Sequence, residues 1–323
     1  MFKMILITIS ILLGVFTFFF VGFSREKENL SWGVNFSPKH ARNMGLDFKE
    51  AYLAILNDLN ADRIKIAVHW DQIEPERGEY YLNDLDFMVE EAGKKEVKLI
   101  LVIGMKTSRW PECHIPYWAK GLSKEKQQEA ILKQIEEVVV RYKDSVWAFQ
   151  VENEPFFDFG DCPWQDKDFL KKEIELVRAL SDNPVIISET GEFSLWFRAG
   201  RLADIVGVTM YKKVWFSEIK RHLSYPLPAT FYRRKASLVK WIYGKEVISI
   251  ELQAEPWGSS LLYDSPLEEQ EKSMDIEQLR KNIGFAKKVG FRENYLWGVE
   301  WWYWMKEVHN NSSFWEEAKK LWK

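Results

Sequence analysis

Residues Val146–Pro155, VWAFQVENEP, form an apolar run that stops on an acid followed by a proline. The run suits a buried strand, and Pro155 cannot donate to a ladder, so it closes that strand. A strand ending this way carries the Glu154 carboxyl to whatever lies beyond the sheet edge. Val247-Ile-Ser-Ile250 does the same far downstream and ends on Glu251.

Working outward from these two stretches, the chain alternates short apolar runs with longer amphipathic ones. Strands are predicted at 32–36, 63–69, 97–104, 146–153, 184–188, 204–211, 246–250 and 295–300. Helical periodicity falls at 48–60, 85–95, 124–142, 167–180, 193–202, 232–243, 268–289 and 313–322. Strands that alternate with helices need crossover connections and give a parallel sheet. Eight such units close into a (β/α)8 TIM barrel, an α/β fold of one domain over residues 26–323. No Gly-rich turn opens a helix, which counts against a nucleotide-binding sheet. The segments leaving strands 3, 4, 6 and 7 are long and rich in Trp, Pro and charge, and such loops build the catalytic face of a barrel. Cys113 and Cys162 are the two cysteines, and they fall on the loops after strands 3 and 4. Those loops are neighbours on one face, so a Cys113–Cys162 disulfide is expected.

Composition narrows the class further. The net charge is −3, without the clustered Lys and Arg that nucleic acid requires. Aromatic residues make up 15 %, with 16 Trp, and flat rings that keep a polar edge suit sugar faces as well as cores. Residues 1–25 stand apart: Met4 to Ser24 carries no charge, and Lys3 and Arg25-Glu26-Lys27 flank it. About 20 apolar residues span a bilayer, so residues 4–24 are expected to be a signal anchor, or a signal peptide cut after Ser24. The body is then extracytoplasmic, membrane-anchored or secreted. The five histidines show no metal-ligand spacing, so no metal is expected; no organic cofactor is expected either. The barrel is expected to act as a monomer.

Two glutamates at strand ends are what double displacement at a glycosidic carbon needs, one as proton donor and one as nucleophile. Asn153-Glu154-Pro155 on the fourth strand, with a glutamate on the seventh, resembles glycoside hydrolase clan A. So do Trp70, Ile73-Glu74-Pro75, Gly78 and Tyr80 after the second strand, the start Trp32-Gly-Val-Asn-Phe36, and the sixth strand Asp204–Tyr211. The similarity runs from residue 30 to about 305 and is nearest to the cellulase-like family 5, with features of families 39 and 42. It implies a retaining β-glycosidase, or a transglycosylase, acting on a poly- or oligosaccharide. A silent, membrane-tethered glycan-binding barrel is the rival from another class. By that resemblance Glu154 is the general acid/base and Glu251 the nucleophile, with Glu152 and Glu255 as their rivals. Asn153 would bind the sugar 2-hydroxyl, Arg63 would orient the nucleophile, and Tyr211 would donate to it. Trp301, or else Trp297 or Trp302, would floor the catalytic sugar, and His69 would line a subsite.

Overall fold

The structure, a computed structural model, describes residues 2–322. All eight expected barrel strands form: β1 (Ser31–Phe36), β2 (Arg63–Ala67), β3 (Lys98–Ile103), β4 (Ala148–Val151), β5 (Val185–Glu189), β6 (Ile205–Met210), β9 (Glu246–Gln253) and β10 (Glu293–Trp297). They pair in parallel around a closed ring, and β10 meets β1 to complete it. A short antiparallel hairpin, β7 (Lys213–Phe216) with β8 (Arg221–Ser224), rises from the loop after β6 and was not expected. The barrel interior is filled by Ile100, Ala148, Ile186, Ile248, Ile250 and Tyr295, and a larger apolar layer packs between strands and helices.

Local chemistry sets most boundaries. Ser123 and Asp166 accept from the first-turn N–H groups of helices Lys124–Tyr142 and Lys167–Leu180, which start and stop as expected. The single helix expected over 268–289 is two, Leu267–Glu271 and Ile276–Val289. Asp275 caps the second by accepting from the Gln278 N–H at 2.6 Å, and that cap starts a fresh helix. The eighth barrel strand ends at Trp297 instead of 300. Gly298, at φ +136°, turns the chain into the helix Val299–Glu307.

β9 carries the feature that matters most for the site. Val208 pairs with Ser249 but Thr209 pairs with Glu251, so Ile250 is an extra residue, a bulge. Ile248 and Ile250 point into the barrel while Leu252 lies in the outer layer. Strict alternation would have put Glu251 outside with the helices. The bulge turns it to the mouth of the barrel instead.

The N-terminal helix Phe2–Phe20 is long and apolar enough to cross a membrane, and its window Lys3–Phe20 is not buried against the barrel. Its last turn touches the helix Ala229–Tyr243 through Phe19, Phe20 and Phe231. Cys113 and Cys162 are joined by the expected disulfide.

Candidate active site

The C-terminal mouth of the barrel gathers an unusual density of buried acids and cations. Glu251 is 3 % exposed, accepts from Lys65 Nζ at 2.8 Å through one oxygen and from the Tyr211 hydroxyl at 2.9 Å through the other. Lys65 comes from the middle of β2, flanked by Ile64 and Ile66, and is itself 1 % exposed. A carboxylate held this way is hydrogen-bonded on both oxygens, once by a cation.

Glu154 follows β4 in a left-handed turn, at φ +43°. Its N–H donates to Ser188 Oγ on β5 at 2.8 Å, and Thr209 Oγ1 on β6 donates to its Oε1 at 2.8 Å. Burial, followed by the charge of Glu251, pushes its pKa up to about 8, so the group is protonated at neutral pH. Because Thr209 is also the register partner of Glu251, both carboxyl groups share one side of the mouth. Burial and the Glu251 charge likewise keep Tyr211 well above the ordinary phenol range, as a donor.

Around this pair the structure adds residues that alternation alone did not reveal. Glu112, on the loop after β3, is 7 % exposed and accepts from Asn153 Nδ2 at 3.0 Å, and burial raises its pKa to about 7. The other end of the Asn153 amide accepts from Gln150 at 3.1 Å, so Asn153 is engaged on both sides. Arg109 lies over Trp297, its guanidinium carbon 4.0 Å from the ring centroid, and pairs with Glu255 and with Glu300, the latter at 2.9 Å. The space between Asn35, Lys65, Arg109, Trp297 and Glu300 is only about 10 Å³. Sequence gave two usable signals here, a lysine inside the apolar β2 and a glutamate beside a cysteine. Arg109 gave none, because only the folded loop lays it on Trp297.

Several expected site residues sit elsewhere. Arg63 is at the opposite, N-terminal rim of the barrel, where it pairs with Asp62 at 3.0 Å and faces Glu293 at 3.6 Å. Being the first residue of β2, it is one inward layer below Lys65, and Lys65 makes the contact expected of Arg63. Trp301 is in the helix Val299–Glu307, 1 % exposed, donating to Gln270 and packed on Phe314. It is core, because the strand ends before it. Trp302 is likewise buried, on the Ala254 carbonyl at 2.7 Å. Trp297 is the indole that reaches the mouth. His69 is 2 % exposed with both ring nitrogens engaged, by Ser37 and Thr107 at 2.9 Å each, so it is a wall and offers no free edge. Glu152, the rival to Glu154, accepts from the Met105 and Lys106 N–H groups at 2.8 and 2.5 Å and meets Glu173. Glu255 is the ion-pair partner of Arg109 and does not compete with Glu251 for the Lys65 and Tyr211 contacts. Among the described residues no cluster of His, Cys, Asp and Glu is arranged to hold a metal.

Residues 34–176 match the sequence model of Glycosyl hydrolase family 10, a stretch that takes in Glu154 and stops before Glu251. The chain is similar to glycoside hydrolases. Among solved structures it superposes on a family 10 endo-beta-1,4-xylanase from Gloeophyllum trabeum (TM-score 0.54, 18 % identity, 83 % of each chain). It also superposes on xylanase 10B from Thermotoga petrophila (0.55, 17 %, 84 % of this chain and 82 % of that one). A GH5_18 protein from Streptomyces cattleya gives 0.58 at 14 %, over 85 % of this chain and 71 % of that one. Identities this low establish the shared barrel. The sequence match falls on family 10, and family 5 enters through the fold.

Proposed function

We propose that this protein is a retaining glycoside hydrolase that cleaves a β-glycosidic bond by double displacement. The observation that carries the reading is the pair of unlike glutamates: Glu154 kept protonated, and Glu251 held between Lys65 and Tyr211. Environments that separate two carboxyl groups in this way assign the acid and the nucleophile. Glu251 attacks the anomeric carbon while Glu154 gives its proton to the departing oxygen. Water, deprotonated by Glu154, then cleaves the glycosyl ester with retention. Tyr211 donates to the carboxylate oxygen and keeps it oriented. A transglycosylase would differ only in the acceptor.

The apolar helix Phe2–Phe20 and the disulfide support an extracytoplasmic protein, anchored or released, with residues 26–323 as its catalytic domain. The test is product release from β-glucans, xylans, mannans, galactans and short β-glycosides, with Glu154→Gln and Glu251→Gln proteins alongside. Hydrolysis with a retained anomer, lost in both variants, is expected. Binding without turnover in the wild type would instead make the barrel a tethered glycan binder.

A further inference from the structure

A second cavity, of about 360 Å³, opens between the loops after β4 and β5, within the range of small-ligand sites. Its walls are Phe156, Phe157, Phe193, Leu195, Trp196 and Phe197. Its Phe156–Phe157 wall continues directly from the backbone of the acid: the Phe157 N–H donates to the Glu154 carbonyl at 3.0 Å, and Lys106 Nζ donates to the Glu154 and Phe157 carbonyls at 3.2 and 2.7 Å. Glu154 protonates the leaving group, so the surface beyond it belongs to that group.

Apart from Arg198, the polar side chains in these walls are already paired. Glu189 accepts from Ser194 Oγ and from the Ala199 N–H at 3.0 Å. Thr190 accepts from the Phe193 N–H at 3.4 Å and, through its carbonyl, from Trp196 Nε1 at 3.1 Å. Arg198 stands at the rim over Phe156, 5.6 Å from the ring centroid. A sugar chain entering here would strip water from its hydroxyls and find few partners, whereas a hydrocarbon loses nothing. Phe193 and Leu195 are nevertheless 60 % and 48 % exposed, an apolar lining left open.

A second observation joins this cavity to the apolar N-terminal helix. Trp196 of the cavity wall packs on Tyr232 at 6.2 Å, Tyr232 on Phe231 at 5.7 Å, and Phe231 on Phe20 at 5.3 Å. The rings run unbroken from the leaving-group side to the end of the helix that is apolar enough to enter a bilayer. Phe231 lies in the first turn of Ala229–Tyr243, which starts at the catalytic face because barrel helices run antiparallel to their strands.

We propose that this cavity takes the hydrocarbon chain of a glycolipid, which makes the substrate a β-glycoside with an alkyl leaving group at a membrane surface. The inference rests on the hydrolase reading above. The bond from the anomeric carbon to the lipid oxygen breaks, and the Glu154 proton turns that oxygen into a lipid alcohol. Water then releases the sugar from Glu251 and restores the proton to Glu154.

The experiment uses the full chain in phospholipid nanodiscs and compares n-octyl with methyl β-glycosides of whichever sugar is hydrolysed, at known free aqueous concentration. Three methylenes buried at about fourfold each give roughly a sixtyfold higher kcat/KM for the octyl compound. Phe193→Ser with Leu195→Ser should cut that ratio below about fivefold and leave the methyl rate unchanged. The proposal is overturned by a wild-type ratio below about threefold. It is overturned equally by a ratio that survives the substitutions, or by an equal loss on a sugar oligomer. A diazirine-tipped octyl β-glucoside gives a readout without turnover. Crosslinking to the 156–198 region, lost in the double variant, upholds the hydrocarbon site even where every glycoside resists hydrolysis and the hydrolase reading falls. Absence of crosslinking overturns the site.

Discussion

Replacing Glu251 by Gln keeps its volume and removes its charge, and the consequence should appear on Glu154. Burial and the Glu251 carboxylate are the two leading reasons that the Glu154 pKa stands at about 8. Carboxyl groups in retaining sites lie about 5–5.5 Å apart. At that separation and an effective dielectric of about 20, two unit charges repel by roughly 3 kcal/mol, or about two pK units. Lys65 would also be left without its partner, and its uncompensated positive charge pulls in the same direction. The midpoint should therefore fall from about 8 to about 6. Carbon-13 NMR titration of the glutamate carboxyls, with Glu154→Gln to assign the resonance, measures it directly. A midpoint within half a unit of the wild type would refute the coupling, and with it the assignment of the two groups to one reaction centre. In the wild type the same value sets the alkaline limb: the acid must hold its proton, so activity should decline as pH rises through about 8.

Three further outcomes follow from named contacts. Lys65→Met leaves the 3 %-exposed Glu251 without its cation, and breaking a buried pair costs about 3–5 kcal/mol, to be read by urea unfolding. A loss under about 1 kcal/mol would mean that water reaches the pair. Tyr211→Phe removes one charge-assisted hydrogen bond and should lower kcat about 10- to 100-fold with little change in KM, with kcat untouched as the contrary result. Glu173, buried against Glu152, has its pKa raised well above the ordinary range by burial and then by the Glu152 charge. Protonation is favoured in the fold, so its contribution to stability is complete below the ordinary carboxylate pKa and is lost as pH rises through the raised value. Glu173→Gln should flatten the alkaline decline in melting temperature, and an unchanged profile would show that Glu173 titrates normally.

The barrel was legible in sequence because alternation is a one-dimensional signal. Eight apolar runs, each followed by an amphipathic stretch, leave few topologies, and two helices matched to the residue because Ser123 and Asp166 mark their starts. Glu154 was legible for the same reason, since a proline ended its strand. The positions that failed are those where period and parity stop being reliable. Trp301 follows directly on the eighth strand expected over 295–300, yet Gly298 has already turned the chain into a helix. Arg63 and Lys65 share a face of β2, and only the height of each layer in the closed barrel decides that Lys65, and not Arg63, reaches Glu251.

The sequence by itself determined the order of elements, the two acids at the catalytic end of their strands, and the cysteine loops close enough to bridge. These are properties of local pattern and chain connectivity. The tertiary structure alone decided which way Glu251 faces, because the bulge at Ile250 overrides alternation. It alone decided that Arg109 lies on Trp297, and that six apolar side chains from two loops wall one cavity in which Glu189, Thr190 and Ser194 are already paired. Each of these depends on contacts between residues far apart in the chain, and no period in the sequence encodes them.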